Sequence, residues 1–253
     1  MNKKFLPALM PLRSIIFIAV FIVISMITGK GLSDISNTWS VVASAVNIIT
    51  VAALILLTKN DGGFKKLINY EKGKTTPKQV VGMSVLIICL GMGGMYLAGF
   101  LCYGIIPYAP PMMIAPIAVP LAVINLILLP VSTALAENSI YLGCGVNTIK
   151  NRYLSVILPS FFFAVQHSFI PTLPDVRYMI YRFLSFLPLT ILLCIIYRKN
   201  RNPLPIMIGH AFIDGRMISD NFANGAAWDI RLDCYADELA ASPLTIYMLC
   251  GLQ

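Results

Sequence analysis

The chain reads as an all-α, polytopic membrane protein, a bundle of about seven or eight transmembrane helices, and three observations predict this. Of its 253 residues, 58% are hydrophobic and only 12% charged, against roughly 25% charged in a soluble domain. Mean hydropathy is +0.80, which excludes disordered or low-complexity tails, because those need high charge and few aliphatic residues. Apolar runs close to the ~20 residues that carry a helix across ~30 Å of hydrocarbon recur along the chain, bounded by charge, Pro or Gly. No internal repeat is visible. Residues 1–253 therefore read as one integral membrane domain.

Seven runs are long enough to consider: Ser14–Thr28, Trp39–Thr58, Val80–Ile106, Pro111–Leu142, Tyr153–Thr172, Tyr178–Tyr197 and Pro203–Ile218. An eighth, Pro243–Leu252, is shorter and suits a closing or interfacial helix. The first run follows Lys3 and Lys4 as a signal peptide would. It lacks a small-x-small cleavage site, so it reads as a retained anchor. Gly94 and Ala98, four apart, would let a neighbouring helix come close to the third run. The stretch Phe64–Tyr70 mixes basic and apolar residues at helical spacing, which suits either an interfacial helix or a solvated loop.

The formal net charge of +8 invites a nucleic-acid reading, but the cations fall between apolar runs rather than on a stripe interleaved with aromatics, so no nucleic acid is expected. Lys and Arg near span ends set orientation. With a cytoplasmic N-terminus, one face receives Lys3, Lys4 and Arg13, then Lys59, Lys65, Lys66, Lys72, Lys74 and Lys78, then Lys150 and Arg152, then Arg198, Lys199 and Arg201. That is fourteen of nineteen cations. The opposite loops hold Lys30, Arg177 and Arg231 beside the acids Asp229, Asp233, Asp237 and Glu238. The expectation is a multi-pass protein of the cell membrane with its N-terminus inside. The six cysteines lie singly, without metal or disulfide spacing, and read as small apolar core residues.

Chemistry is sought among ionisable residues inside the spans, since a charge at mid-bilayer costs roughly 2.5–3.5 kcal/mol on insertion scales and persists where it pairs, faces a cavity or reacts. Glu137 lies near the end of the fourth run, His167 in the fifth, His210 and Asp214 in the seventh. These are the only two histidines in the chain. Arg182 and Arg216 lie nearer span ends and are expected to snorkel. His210 and Asp214 are i and i+4, one turn apart on one helix face, which suits two groups facing one site or a carboxylate fixing the tautomer of its histidine. Phe163 and His167 share that spacing, so the Phe163 ring can pack beneath the imidazole. Two histidines and two acids on three spans point to a shared polar site.

These residues carry a resemblance. Glu137-Asn138-Ser139-Ile140-Tyr141-Leu142, then Phe163-Ala164-Val165-Gln166-His167, then His210-Ala211-Phe212-Ile213-Asp214 resemble the three motifs of the CPBP family of intramembrane proteases: E-E-x-x-x-R, F-x-x-x-H and H-x-x-x-N/D. That family includes type II CAAX prenyl endopeptidases and bacteriocin-processing and immunity relatives. The resemblance spans Glu137 to Asp214, with the motif-bearing helices at about 130–220. Asn138 and Leu142 stand where the pattern has Glu and Arg.

The resemblance implies an endopeptidase acting on membrane-associated peptides or proteins, with the lipid bilayer as its other partner. Glu137 and His167 would activate a water, His210, positioned by Asp214, would polarise the carbonyl, and Asn138 and Phe163 would support the site. The cofactor is either none or one divalent metal such as zinc, held by Glu137, His167 and His210, because two imidazoles and a carboxylate with an open position form a catalytic zinc set. Depth adds a condition. Glu137 and His210 lie about 10 Å from the cytoplasmic ends of their spans and His167 about 20 Å if its helix begins at Tyr153, so a helix starting nearer Pro159 is expected. Two other readings stay open. A catalytically silent relative would serve as a membrane scaffold, immunity factor or regulator, and a proton-coupled transporter would use the same acids and histidines as a relay.

Overall fold

The structure is a computed structural model and describes residues 3–32, 39–105, 119–169 and 175–215. Among these residues every regular element is helical. A 3-10 turn over Lys3–Ala8 leads into α1 (Leu9–Thr28), followed by α2 (Trp39–Thr58), a short α3 (Gly63–Leu67), α4 (Pro77–Tyr103), α5 (Val119–Asn138), α6 (Leu154–Ser168) and α7 (Val176–Asn200). A last helix, α8, covers Leu204–Gly215. The seven apolar runs all correspond to helices. The short segment Pro243–Leu252, Arg216, Arg231, Cys234, Cys250 and the acidic loop lie outside the described residues, as do 111–118 of the fourth run.

Five helical stretches are long and apolar enough to cross a membrane, and they differ in a telling way. The stretch Leu126–Val146 has the lowest hydropathy, 1.3, and is 72% buried, whereas the other four have hydropathies of 2.1–2.4 and are 22–44% buried. Helices that turn apolar faces outward need lipid to cover them. Met26, Ile27, Leu56, Leu101 and Val176 are such outward residues. The helix with polar residues is the one packed at the centre. α2 packs on α5, while α1, α6 and α7 pack on its continuation and α4 packs on α7. Among the described residues, α6 and α8 are shorter apolar helices.

α5 does not stop at Asn138. It continues as a π-helix over Ser139–Val146, closed by Asn147 N–H donating to the Leu142 carbonyl. The residues explain the change of pitch. Asn138 Nδ2 donates to the Ala134 carbonyl and Ser139 Oγ to the Leu135 carbonyl, so side chains compete for acceptors at the junction. Gly145 then admits close neighbours: a Cβ there would stand 2.8 Å from both Met10 Sδ and Pro159 Cγ. The chain stays buried through all nine residues that follow Glu137, Asn138 to Val146.

Two expectations about helix ends change. α6 begins at Leu154, runs through Pro159 and carries His167 about 20 Å from its start. The level is matched instead by α8, which begins within the bundle at buried Asn202 and Pro203, with Asn202 tied to Thr75. α8 then lies against α4, where a Cβ on Gly209 would sit 2.8 Å from Ile87 Cγ2. Gly94 and Ala98 do receive a neighbour: Gly94 faces the Ser185 carbonyl of α7, and Ala98 packs with Tyr178 and Tyr181. Cys144 and Cys194 are buried as expected, but Cys89 is exposed on the lipid-facing side of α4 and Cys102 is partly exposed. Phe64 and Leu67 of α3 pack on the core while Lys65 and Lys66 stay outside.

Because the methyl group has nowhere to go, Gly209→Ala is expected to destabilise the fold by about 1–3 kcal/mol. Thermal unfolding of the detergent-solubilised protein checks this, and an unchanged midpoint would contradict the α4–α8 packing.

Candidate active site

The four predicted site residues meet in the middle of the bundle. Glu137 reaches inward from the last turn of α5 and is 3% exposed. Its Oε2 lies 3.7 Å from Nε2 of His167 and 3.7 Å from Nε2 of His210. Asp214 Oδ2 lies 3.6 Å from the same His210 nitrogen, and its side chain, 17% exposed, is the most open of the four. Glu137 Oε2, His210 Nε2 and Asp214 Oδ2 are buried atoms without a hydrogen-bond partner among the described residues. Polar atoms so placed and aimed at one region call for a polar partner there.

The other carboxylate oxygen is fully engaged. Gln166 Nε2 donates to Glu137 Oε1 at 2.6 Å, and Arg13 donates to it at 3.2 Å. Tyr141 Oη in turn donates to Gln166 Oε1 at 2.8 Å, fixing the amide. One oxygen is thus tied down and the other is presented to the imidazoles. Sequence reasoning missed both donors. Gln166 sits inside the second motif beside His167, and its burial there is the signal that marks it. Arg13 was counted as a topology signal, but it is 2% exposed and lies inside the bundle. Arg182 also departs from expectation: it is buried at 4% and donates to the His167 carbonyl instead of snorkelling.

Hydrogen-bond partners assign opposite tautomers to the two imidazoles. His167 Nδ1 lies 2.9 Å from the Phe163 carbonyl, so it carries the proton and Nε2 offers a lone pair. His210 Nδ1 accepts from Asn138 Nδ2 at 3.3 Å, so its proton sits on Nε2. The structure therefore gives the tautomer-fixing contact to Asn138, with Asp214 on the far nitrogen of the same ring. Phe163 stacks on His167 at 4.3 Å between centroids, and Phe186 stacks on the same imidazole at 4.1 Å. Leu142 packs in an apolar cluster with Ile87, Leu189 and Ile213.

A tetrahedral metal with bonds of 2.0–2.1 Å would need its ligand atoms about 3.3–3.4 Å apart. The Glu137–imidazole separations of 3.7 Å are wider, and among the described residues no group of three His, Cys, Asp or Glu meets a metal-centre geometry. The donor types suit zinc while their spacing does not, and no step below passes through a metal.

A multi-pass helical membrane protein whose central helix carries a carboxylate facing two imidazoles is the class that fold and site define. Residues 119–215 match the Rce1-like family model, described as type II CAAX prenyl endopeptidase Rce1-like. The matched segment is 97 of the 253 residues, and over that segment the chain is similar to the CAAX-type intramembrane proteases of the CPBP family. No curated protein and no solved structure matches the chain significantly. The matched segment contains all of Glu137, Asn138, Phe163, Gln166, His167, His210 and Asp214.

With two histidines in the chain, nitrogen-15 NMR of the imidazoles reads the site directly. The expected spectrum shows one ring protonated at Nδ1 and the other at Nε2. Asn138→Asp, which puts an acceptor opposite His210 Nδ1, is expected to switch that ring to the Nδ1–H form. Two rings in the same tautomer in the unaltered protein would contradict the assignment.

Proposed function

We propose that the protein is an intramembrane endopeptidase that hydrolyses peptide bonds of membrane-associated peptides or proteins with a water activated by Glu137 and His167. The observation that carries this reading is the asymmetry of the Glu137 carboxylate, one oxygen held by Arg13 and Gln166 and the other aimed at two imidazoles of opposite tautomer. A base, a lone pair and an N–H donor then surround one small region. Glu137 Oε2, aided by the bare Nε2 of His167, takes a proton from water as its oxygen attacks the scissile carbonyl carbon. The Nε2–H of His210 donates to the oxyanion that forms. When the C–N bond breaks, the proton held by Glu137 passes to the leaving amine. Asp214 steadies His210 from beside the reacting face.

The similarity of residues 119–215 to type II CAAX prenyl endopeptidases supports two substrate classes, prenylated C-terminal peptides and short leader or signalling peptides. The run of lysines between α2 and α4 supports a cytoplasmic N-terminus in the cell membrane, which puts the nearer ends of α5 and α6 on the cytoplasmic side. Asn138 and Leu142, which depart from the family pattern, favour a second reading, a non-cleaving relative that binds a peptide or partner protein as an immunity or regulatory scaffold.

Reconstituted protein is expected to cleave a farnesylated peptide ending in CAAX or a leader peptide, and Glu137→Gln is expected to lower the rate by about 10²–10⁴-fold, the usual range for a general base. His167→Ala and His210→Ala follow the same direction, and Asp214→Asn has a smaller effect. Parallel reactions with a chelator decide whether a metal takes part. Cleavage unaltered by Glu137→Gln, or no cleavage of either peptide class, would move the conclusion to the scaffold.

A further inference from the structure

The segment matched to the family begins at residue 119, yet the most highly charged contact of the site comes from the first helix. Arg13 lies in the second turn of α1 and is buried. Its guanidinium spreads over three acceptors on two other helices: Glu137 Oε1 on α5 at 3.2 Å, Asn47 Oδ1 on α2 at 2.5 Å and Thr50 Oγ1 on α2 at 3.2 Å. Its carbon lies 4.6 Å from the centre of the Phe17 ring. Asn47 completes a bracket by donating to Thr133 Oγ1 at 2.9 Å, one turn before Glu137 on α5. Topology signalling explains none of these contacts.

A carboxylate has two equivalent oxygens, and its terminal torsion is soft. Something must decide which oxygen meets the imidazoles. Gln166 approaches from α6 and Arg13 from α1, and both donate to Oε1. With Oε1 held from two sides, Oε2 is left toward His167 and His210. The planar fork matters as well as the charge. Asn47 and Thr50 anchor its nitrogens, so the hydrogen that reaches Glu137 comes from a fixed direction. A lysine ammonium could supply the charge, but not a planar fork holding two α2 acceptors and the α5 carboxylate in the same arrangement.

We propose that Arg13 is a positioning residue for the catalytic carboxylate: from α1, outside the family-matched segment, it sets the orientation of Glu137 and offsets its charge within the bundle. This rests on the protease reading for its consequence in catalysis, but not for its consequence in geometry. The site is therefore assembled by α1 and α2 as well as by the helices that bear the motifs, and a fragment beginning at residue 119 would lack its orienting group.

The test uses the full-length protein in lipid nanodiscs and two readouts. Arg13→Lys keeps a positive charge, and is expected to move the nitrogen-15 signals of both imidazoles and to lower kcat by about 10–100-fold while KM changes little, as misorientation of a reacting group by about an ångström does. Asn47→Ala removes the anchor of the fork without touching its charge, and is expected to act in the same direction more weakly. Imidazole signals unmoved in both variants would overturn the proposal whatever the activity. So would wild-type kcat in Arg13→Lys when the unaltered protein cleaves. Signals that move in a protein that cleaves nothing would uphold the positioning role and end the protease reading.

Discussion

A carboxylate placed among packed helices must be surrounded by donors, and the rest of this structure is organised by that requirement. An unpaired buried charge costs several kcal/mol, and Glu137 meets the condition at Oε1 with one guanidinium from α1 and one amide from α6, while Oε2 faces the imidazoles of α6 and α8. Each of those helices must approach α5 closely. Small residues at the contacts permit it, as Gly145 does against Met10 of α1 and Pro159 of α6, and Gly209 does where α8 meets α4. The low hydropathy and high burial of the central stretch are two sides of the same fact: polar side chains can be placed there because other helices, not lipid, surround them.

The same requirement divides labour between the oxygens of one side chain. Oε1 takes the stabilising contacts and Oε2 faces the reactive region, so stability and reactivity are not in competition for the same lone pairs. The two histidines share this pattern. Each ring uses Nδ1 for a fixed partner, a backbone carbonyl for His167 and the Asn138 amide for His210, and directs Nε2 at Glu137. Because one Nδ1 donates and the other accepts, the two Nε2 atoms arrive with opposite character. Asn138 is an apt residue for this, since an amide can donate to His210 while also donating to the Ala134 carbonyl at the start of the π-helix.

Much of this was legible in the sequence because membrane insertion penalises charge. Glu137, His167, His210 and Asp214 stood out against apolar runs, and the runs themselves located the helices, with α2 read to its end residues. What escaped notice had physical reasons. Arg13 sits close to Lys3 and Lys4 at the start of a span, where a cation ordinarily faces the interface, and only the approach of α2 and α5 distinguishes it. Arg182 escaped likewise. The π-helix has no periodic signature, although Asn138 and Ser139 could have warned of competition for carbonyls. The start of α6 was misjudged because helix ends were assumed to lie at one level, and α8 begins inside the bundle instead.

The account depends most on the geometry around one side chain, and an experimentally determined structure of the full-length protein in lipid, at a resolution that places side chains, measures it directly. The account predicts one oxygen of Glu137 held by Arg13 and Gln166, and the other about 3.7 Å from both imidazole Nε2 atoms. Arg13 turned out to the interface, or the two imidazoles facing different cavities, would contradict it.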